Sequence, residues 1–290
     1  MKVPPDAQPG APLDLVVQAP TLPPEDVDAL VLLTGPRGTE VPGRAGNDAV
    51  RLVHIESAEG VAAAAHAAGY DVALVPQDRA LERVRLVAMD MDSTLITIEC
   101  IDEIADLHGL KPQVAAITAR AMRGEIRFAE SLRERVALLA GLPIDALQRV
   151  YDERLRLSPG ATRMLRGFAA VGAKTLLVSG GFDFFTERLR ERLNLDYVIS
   201  NRLAVRGGVL TGEIEGPIVD ADAKAAALLQ RAREMGGDGL TVALGDGAND
   251  LPMLAAAHIS IAYRAKALVR DAATHAIDHC GLDAALNLFT

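Results

Sequence analysis

Residues 85–95 read RLVAMDMDSTL. The apolar run Leu86, Val87, Ala88, Met89 stops at two aspartates one residue apart, Asp90 and Asp92, followed by Ser93 and Thr94. A short apolar run bounded by polar residues reads as a buried strand. Residues i and i+2 of a strand point the same way, so the two carboxylates are expected to face together at the strand's carboxyl end. Like charges so close repel, and a chain that places them there has to supply partners for them.

Outward from this stretch, similar runs recur at KTLLVS (174–179), YVIS (197–200), TVALGD (241–246) and ISIAY (259–263), with helical patterns between them. That alternation predicts an α/β fold with a mostly parallel sheet and helices on both faces. A hairpin is expected at RLAVRGGVLTGEIEG (202–216), with Gly207 and Gly208 in its turn. About eighty residues separate Asp90 from the strand at Lys174, far more than the dozen or so that a crossover needs. The insertion, 99–157, shows apolar residues three and four apart in VAAITARAMRG, FAESLRERVALLAG and IDALQRVYDERL, and reads as a helical cap over the mouth of the sheet. SPGATRMLRGFAAVG (158–172) then supplies the crossover helix.

Residues 13–76 differ in character. Short apolar runs alternate there with the Ala-rich EGVAAAAHAAGY, punctuated by TGPRG and VPGRAG, which predicts a small α/β unit. A boundary falls near residue 80, giving an N-terminal domain over 1–80 and a main domain over 81–290, with QDRALERV (77–84) as a linker or connecting helix.

The composition bounds the function. Half of the 290 residues are hydrophobic, enough for a substantial core, and aromatics make up only 3%. A net charge of −9 without a basic run argues against nucleic acid. No stretch approaches the roughly 18 apolar residues of a membrane helix. MKVPPDAQPGAP does not read as a secretory signal, and Cys100 and Cys280 form no motif, so a reducing cytoplasm is the expected location. The expected partner is a small molecule; a homodimer is left open.

In open α/β sheets, ligands bind at the carboxyl edge of the strands. The run TVALGDGANDLPM brings Asp246, Asn249 and Asp250 to that edge, and KTLLVSGGF brings Ser179, Gly180 and Gly181. Asp90, Asp246 and Asp250 form a hard oxygen ligand set that suits magnesium rather than zinc. A bound cation would keep one aspartate charged while crowding raises the pKa of its neighbour, so that the two divide nucleophilic and proton-transfer work. Phosphoryl transfer also needs donors for the equatorial oxygens. Ser179 with the amides of Gly180 and Gly181 fits that need, and Lys224 is the best placed cation in a chain with five lysines and twenty-five arginines.

DMDST, VSGGF, the lysine of DADAK and GDGAND, in that order, resemble the four motifs of the haloacid dehalogenase superfamily. MDSTLITIECIDEIA and RAMRGEIRFAESLRERVALL look like its phosphoserine phosphatase group, and the resemblance spans roughly 85–275. It implies a Rossmann-like core and magnesium-dependent hydrolysis of O-phospho-L-serine to serine, the last step of serine biosynthesis. By the resemblance, Asp90 is the nucleophile and Asp92 the acid and base. Ser179, Gly180, Lys224 and Asn249 serve phosphate binding. Magnesium is held by Asp90, Asp246, Asp250 and the Asp92 carbonyl. Glu99 meets the substrate ammonium, Arg135 its carboxylate, and Met122 and Phe128 line the closed pocket. Some relatives carry an N-terminal amino-acid-binding module of the ACT type, but no motif in 1–80 secures that identification.

The alternatives are a phosphatase or phosphotransferase for a related small phosphomonoester, and an aspartate-phosphorylated signalling module. The cap and Asp92 argue against the latter, since a paired base hastens acyl phosphate loss. A serine hydrolase built on Ser179 lacks a nucleophile elbow. None of the six histidines shows ligand spacing.

Overall fold

The computed structural model describes residues 2–290. The N-terminal unit runs β1 (Leu13–Ala19), α1 (Pro24–Thr34), β2 (Gly38–Glu40), β3 (Asp48–Val53), α2 (Val61–Ala68) and β4 (Asp71–Pro76). These strands form an antiparallel sheet in the order β2-β3-β1-β4, a βαββαβ arrangement. The alternation of β1 decides how it docks. Leu15 and Val17 join the unit's own core with Val50, Leu52 and Leu30. Val16, with Ala73 and Val75 of β4, instead joins the core of the main domain.

Buried polar contacts reinforce that docking. Arg51 pairs with Asp14 at 3.3 Å and donates to the backbone carbonyls of Asn287 and Phe289 at 3.2 and 2.9 Å. The Asp71 carboxylate accepts the backbone N–H groups of Asp278, His279 and Cys280. Burying such groups is tolerable only because each is hydrogen-bonded. The expected linker is no free tether: it holds one 3₁₀ turn, Leu81–Arg83, and the chain end seals it, with the Thr290 N–H donating to Arg79 O at 2.9 Å and the Leu81 N–H donating to Thr290 O at 3.2 Å.

The main domain begins with β5 (Val84–Met89). The cap follows as α3 (Cys100–Leu107), α4 (Lys111–Met122), α5 (Phe128–Ala137) and α6 (Asp145–Arg149). The chain returns through α7 (Ala161–Ala170), β6 (Lys174–Phe182), α8 (Asp183–Leu193) and β7 (Tyr197–Arg206). It ends with β8 (Val209–Glu215), α9 (Ala221–Met235), β9 (Leu240–Gly245), α10 (Leu251–Ala256), β10 (Ile259–Tyr263), α11 (Ala267–Ala272) and β11 (His275–Ile277).

The sheet order is β11-β10-β9-β5-β6-β7-β8, parallel except for the antiparallel β7–β8 pair. β5 sits in the middle and is buried on both faces: Val87 and Met89 enter one core cluster, Leu86 and Ala88 the other. This two-sided burial is why its sequence is a continuous apolar run. The order reverses around β5, which places a crevice at its carboxyl end.

YVIS and the first arm of the hairpin form one strand, β7, and Gly207 and Gly208 turn it with φ of 60° and 79°. Both values lie in the left-handed region that a tight two-residue hairpin requires. The cap rests on this hairpin: the Gly141 N–H donates to Leu210 O at 2.8 Å and the Ile144 N–H to Gly208 O at 3.0 Å.

Candidate active site

Asp90 lies one residue beyond β5, extended at φ −72° and ψ 161°, with its N–H donating to Leu244 O at 3.1 Å. The strand reading carries only that far. Residues Met91–Leu95 form a wide turn in which the Leu95 N–H reaches Asp90 O and the Ile96 N–H reaches Met91 O, and Ser93 takes φ 55°. Asp92 is therefore placed by a turn and not by strand alternation. Its Oδ1 accepts the N–H of Cys100, at the start of α3, at 3.1 Å, while a Cβ on Gly181 would stand 2.9 Å from its Oδ2. Glycine at 181 is what lets Asp92 approach the Ser179–Gly181 stretch.

Lys224 holds the centre. It is 0% exposed, and its Nζ lies 2.8 Å from Asp90 Oδ1 and 2.8 Å from Asp250 Oδ1. Asp220 caps the helix that carries it by accepting the Ala223 N–H at 3.0 Å. Asp250 Oδ2 accepts the N–H groups of Asp246 and Gly247 at 3.2 and 3.0 Å, and a Cβ on Gly245 would come within 2.5 Å of its carboxylate. Asp250 thus spends both oxygens on holding the lysine and the GDGAND turn.

Asp90, Asp246 and Asp250 each bring one carboxylate oxygen within 4.8 Å of the other two. Hard oxygen donors in that number fit a magnesium-sized cation. Asp246 Oδ1 is steadied by the Thr94 hydroxyl, which donates at 2.9 Å, and Thr94 O in turn accepts from the Ser158 hydroxyl at 2.6 Å.

Burial, more than crowding, tunes these acids. It is the largest cause holding the Asp90 carboxyl well above its usual range, with Asp250 adding and Lys224 opposing. Burial first and Glu99 second raise Asp92 to about 7, against the Cys100 hydrogen bond. Burial, then Asp250, raise Asp246 to about 6. An acid at about 7 is half-protonated at neutral pH, which suits both donating and accepting a proton.

Ser179 is buried, and its Oγ accepts the Gly181 N–H at 2.8 Å. Phe128 starts α5 with its ring against Gly180, where a Cβ would come within 2.9 Å of it. Glu99 accepts from the Ser93 hydroxyl at 2.6 Å. Arg135 donates to Ser131 O at 3.3 Å, and burial lowers its pKa while Asp102, Glu99 and Asp92 pull it back up. Arg133, two residues earlier on the same helix, is exposed, whereas Arg135 is half-buried. Asn249 is half-buried beside Gly247 in the turn Ala248–Asp250. Met122, the last residue of α4, is 68% exposed, and none of the described site contacts involves it.

Sequence reasoning assigns no role to Ser93 and Thr94, although their place directly after Asp90 is a signal for one. It also passes over Asn201, which is 1% exposed. Among the described residues, no helix is long and apolar enough to cross a membrane.

A sequence model of the haloacid dehalogenase-like hydrolases matches residues 87–255. A phosphoserine phosphatase of Polaromonas sp. is 49% identical over 226 residues, 76% of this chain and 96% of the relative. A HAD family hydrolase from Salmonella enterica serovar Typhi superposes with a TM-score of 0.84 at 33% identity, covering 95% of this chain and 98% of its own. A probable phosphoserine phosphatase from Vibrio cholerae, in unliganded form, superposes with a TM-score of 0.80 at 35% identity over 95% of this chain and 85% of its own. The two structural matches reach across the N-terminal unit as well as the main domain.

Proposed function

The chain belongs to the haloacid dehalogenase-like hydrolases, and from that premise we propose that it hydrolyses O-phospho-L-serine to L-serine and phosphate. The observation that carries the reading is the buried Lys224 clamped between Asp90 and Asp250 at the sheet's carboxyl edge; Glu99 and Arg135, each of which feels the other's charge, support the choice of substrate. A zwitterionic amino acid attached to a phosphate asks for that array: a cationic phosphate grip plus one group of each sign.

The Asp90 carboxylate attacks phosphorus, and the bond from phosphorus to the serine oxygen breaks. Asp92, whose carboxyl burial raises to about 7, gives its proton to the departing oxygen. The resulting Asp92 carboxylate then takes a proton from water as that water attacks the aspartyl phosphate, and phosphate and Asp90 are released. Ser179 and Lys224 hold the phosphoryl oxygens, and Phe128, packed on Gly180, shields the reacting atoms from solvent. Asp90, Asp246 and Asp250, with the Asp92 carbonyl, would hold magnesium; the ion would supply positive charge that keeps Asp90 ionised against its burial. Glu99 receives the ammonium and Arg135 the carboxylate.

Steady-state rates on O-phosphoserine, O-phosphothreonine, phosphoethanolamine and sugar phosphates, with magnesium and then with chelator, test this. We expect O-phosphoserine to give the highest kcat/KM, with activity lost on chelation. Preference for a sugar phosphate would overturn the substrate.

A further inference from the structure

The β6–β7 ladder pairs Val178 with Ile199 and then Phe182 with Asn201. Three residues of β6, Ser179 to Gly181, therefore stand opposite a single residue of β7, Ser200. A bulge of that size leaves backbone groups without ladder partners, and buried ones need replacements. Asn201 provides one of them, for Gly180 O, and spans to a neighbouring segment. Its Nδ2 donates to Gly180 O at 2.8 Å, and its Oδ1 accepts the Val219 N–H at 2.8 Å. One partner is an acceptor and the other a donor, which fixes the orientation of the amide.

Both partners belong to segments that carry the phosphate grip. Gly180 is the middle of the bulged stretch, and Val219 directly precedes Asp220, the cap of the helix bearing Lys224. A side-chain amide offers a donor and an acceptor on one short, branched group. We infer that Asn201 is a positioning residue that registers the Ser179–Gly181 stretch against the start of the Lys224 helix, so that its amide sets the hold on the phosphoryl group. The inference rests on the reading of Ser179, Gly180 and Lys224 as that hold.

Two variants separate this from a structural role. Asn201→Asp keeps an oxygen for Val219 but turns the second oxygen against Gly180 O. Asn201→Leu, of the same branched shape, removes both hydrogen bonds without adding charge. In the full-length protein with magnesium, calorimetry gives the Kd of orthophosphate, steady-state kinetics give KM and kcat for O-phosphoserine, and a melting curve gives Tm.

Both variants are expected to bind orthophosphate at least tenfold more weakly and to raise KM in parallel, with Asn201→Leu also lowering kcat. Leu286→Ala, buried in the C-terminal segment, should lower Tm and leave both constants unchanged. In the wild type, the side-chain NH₂ signals of Asn201 should shift as orthophosphate is titrated, a readout that does not depend on the variants folding. Orthophosphate affinity within twofold of wild type in either variant, or unshifted Asn201 signals, overturns the inference. If wild type prefers another phosphomonoester, the proposed substrate falls while the orthophosphate constants still decide the role of Asn201.

Discussion

Replacing Lys224 by Met removes the positive charge shared by Asp90 and Asp250 and nearly conserves the side-chain length. Each Nζ to oxygen contact is 2.8 Å, so each is worth ~6 kcal/mol in gross attraction at an effective dielectric of ~20. Desolvation of three buried charged groups offsets most of that. Removing one partner of a buried pair leaves the others uncompensated and costs about 3–5 kcal/mol. In chelator near pH 8, a chain of this size should then melt about 5–8 °C below wild type.

The deficit should depend on pH in a defined direction. Asp90's folded pKa lies above its ordinary value, so the fold favours its protonated form, and stability falls as pH rises through the window from about 4 upward. Without Lys224 that pKa rises further, so the difference from wild type is smallest near pH 5 and grows toward pH 8. Saturating magnesium should recover about 2.7 kcal/mol at a hundredfold excess over Kd, while kcat remains about 10²–10³-fold down for want of the phosphate donor. Differential scanning calorimetry across pH, with chelator and with magnesium, reads all of this. A variant that melts within about 2 °C of wild type in chelator at pH 8 refutes the buried triad as described.

Asp92→Asn, which keeps the shape but cannot exchange a proton, should lower kcat by about 10²–10⁴-fold with a much smaller change in KM; stopped-flow kinetics with O-phosphoserine check this, and undiminished turnover removes the acid–base role. Magnesium binding should release protons at pH 6, because the metal-free Asp90 and Asp246 carboxyls are raised, the latter to about 6, and should release fewer at pH 8.5; calorimetry in buffers of different ionisation enthalpy counts them, and equal release at both pH values contradicts the sign. Asp71→Ala strips the acceptor from three backbone N–H groups of the 278–280 turn and should destabilise the protein by about 2–3 kcal/mol with kcat unchanged; urea denaturation and an activity assay decide, and a loss of kcat at unchanged stability would show that the N-terminal unit acts on the site directly.

The legible parts of the molecule are those whose chemistry is local in sequence. LVAMD could be read as the central strand because burial on both faces demands an unbroken apolar run. The edge cluster could be read because Asp90, Ser179, Asp246 and Asp250 each follow such a run, and Lys224 lies in the first turn of the helix that precedes one. The cap could be read from its helical periodicity, although α3 escaped notice behind the ITIEC segment. β2 escaped because GTE is a three-residue exposed edge strand among turn-forming residues, with no burial to impose a pattern.

Other features live in pairings that span the chain. Nothing in Arg51 or Asp71 announces partners more than two hundred residues away. Asn201 lies in the middle of an ordinary strand, and its importance comes from a bulge on the neighbouring one. The same limit applies to Asp92: alternation along a strand brings it beside Asp90, whereas the left-handed Ser93 ends the strand geometry and the Cys100 amide sets its place. The ionisation of the site acids is only half legible for a related reason. Crowding of carboxylates is visible in a sequence, whereas burial, the larger cause of their raised pKa values, exists only once the fold has packed.

The central claim is tested most directly by rapid acid quenching of the enzyme during turnover of ³²P-labelled O-phosphoserine with magnesium, followed by peptide mapping of the labelled protein. The account predicts an acid-stable, hydroxylamine-labile adduct on Asp90 that accumulates in Asp92→Asn and is absent from Asp90→Asn. Label on Ser179 or any other residue, or ordinary turnover by Asp90→Asn, contradicts it.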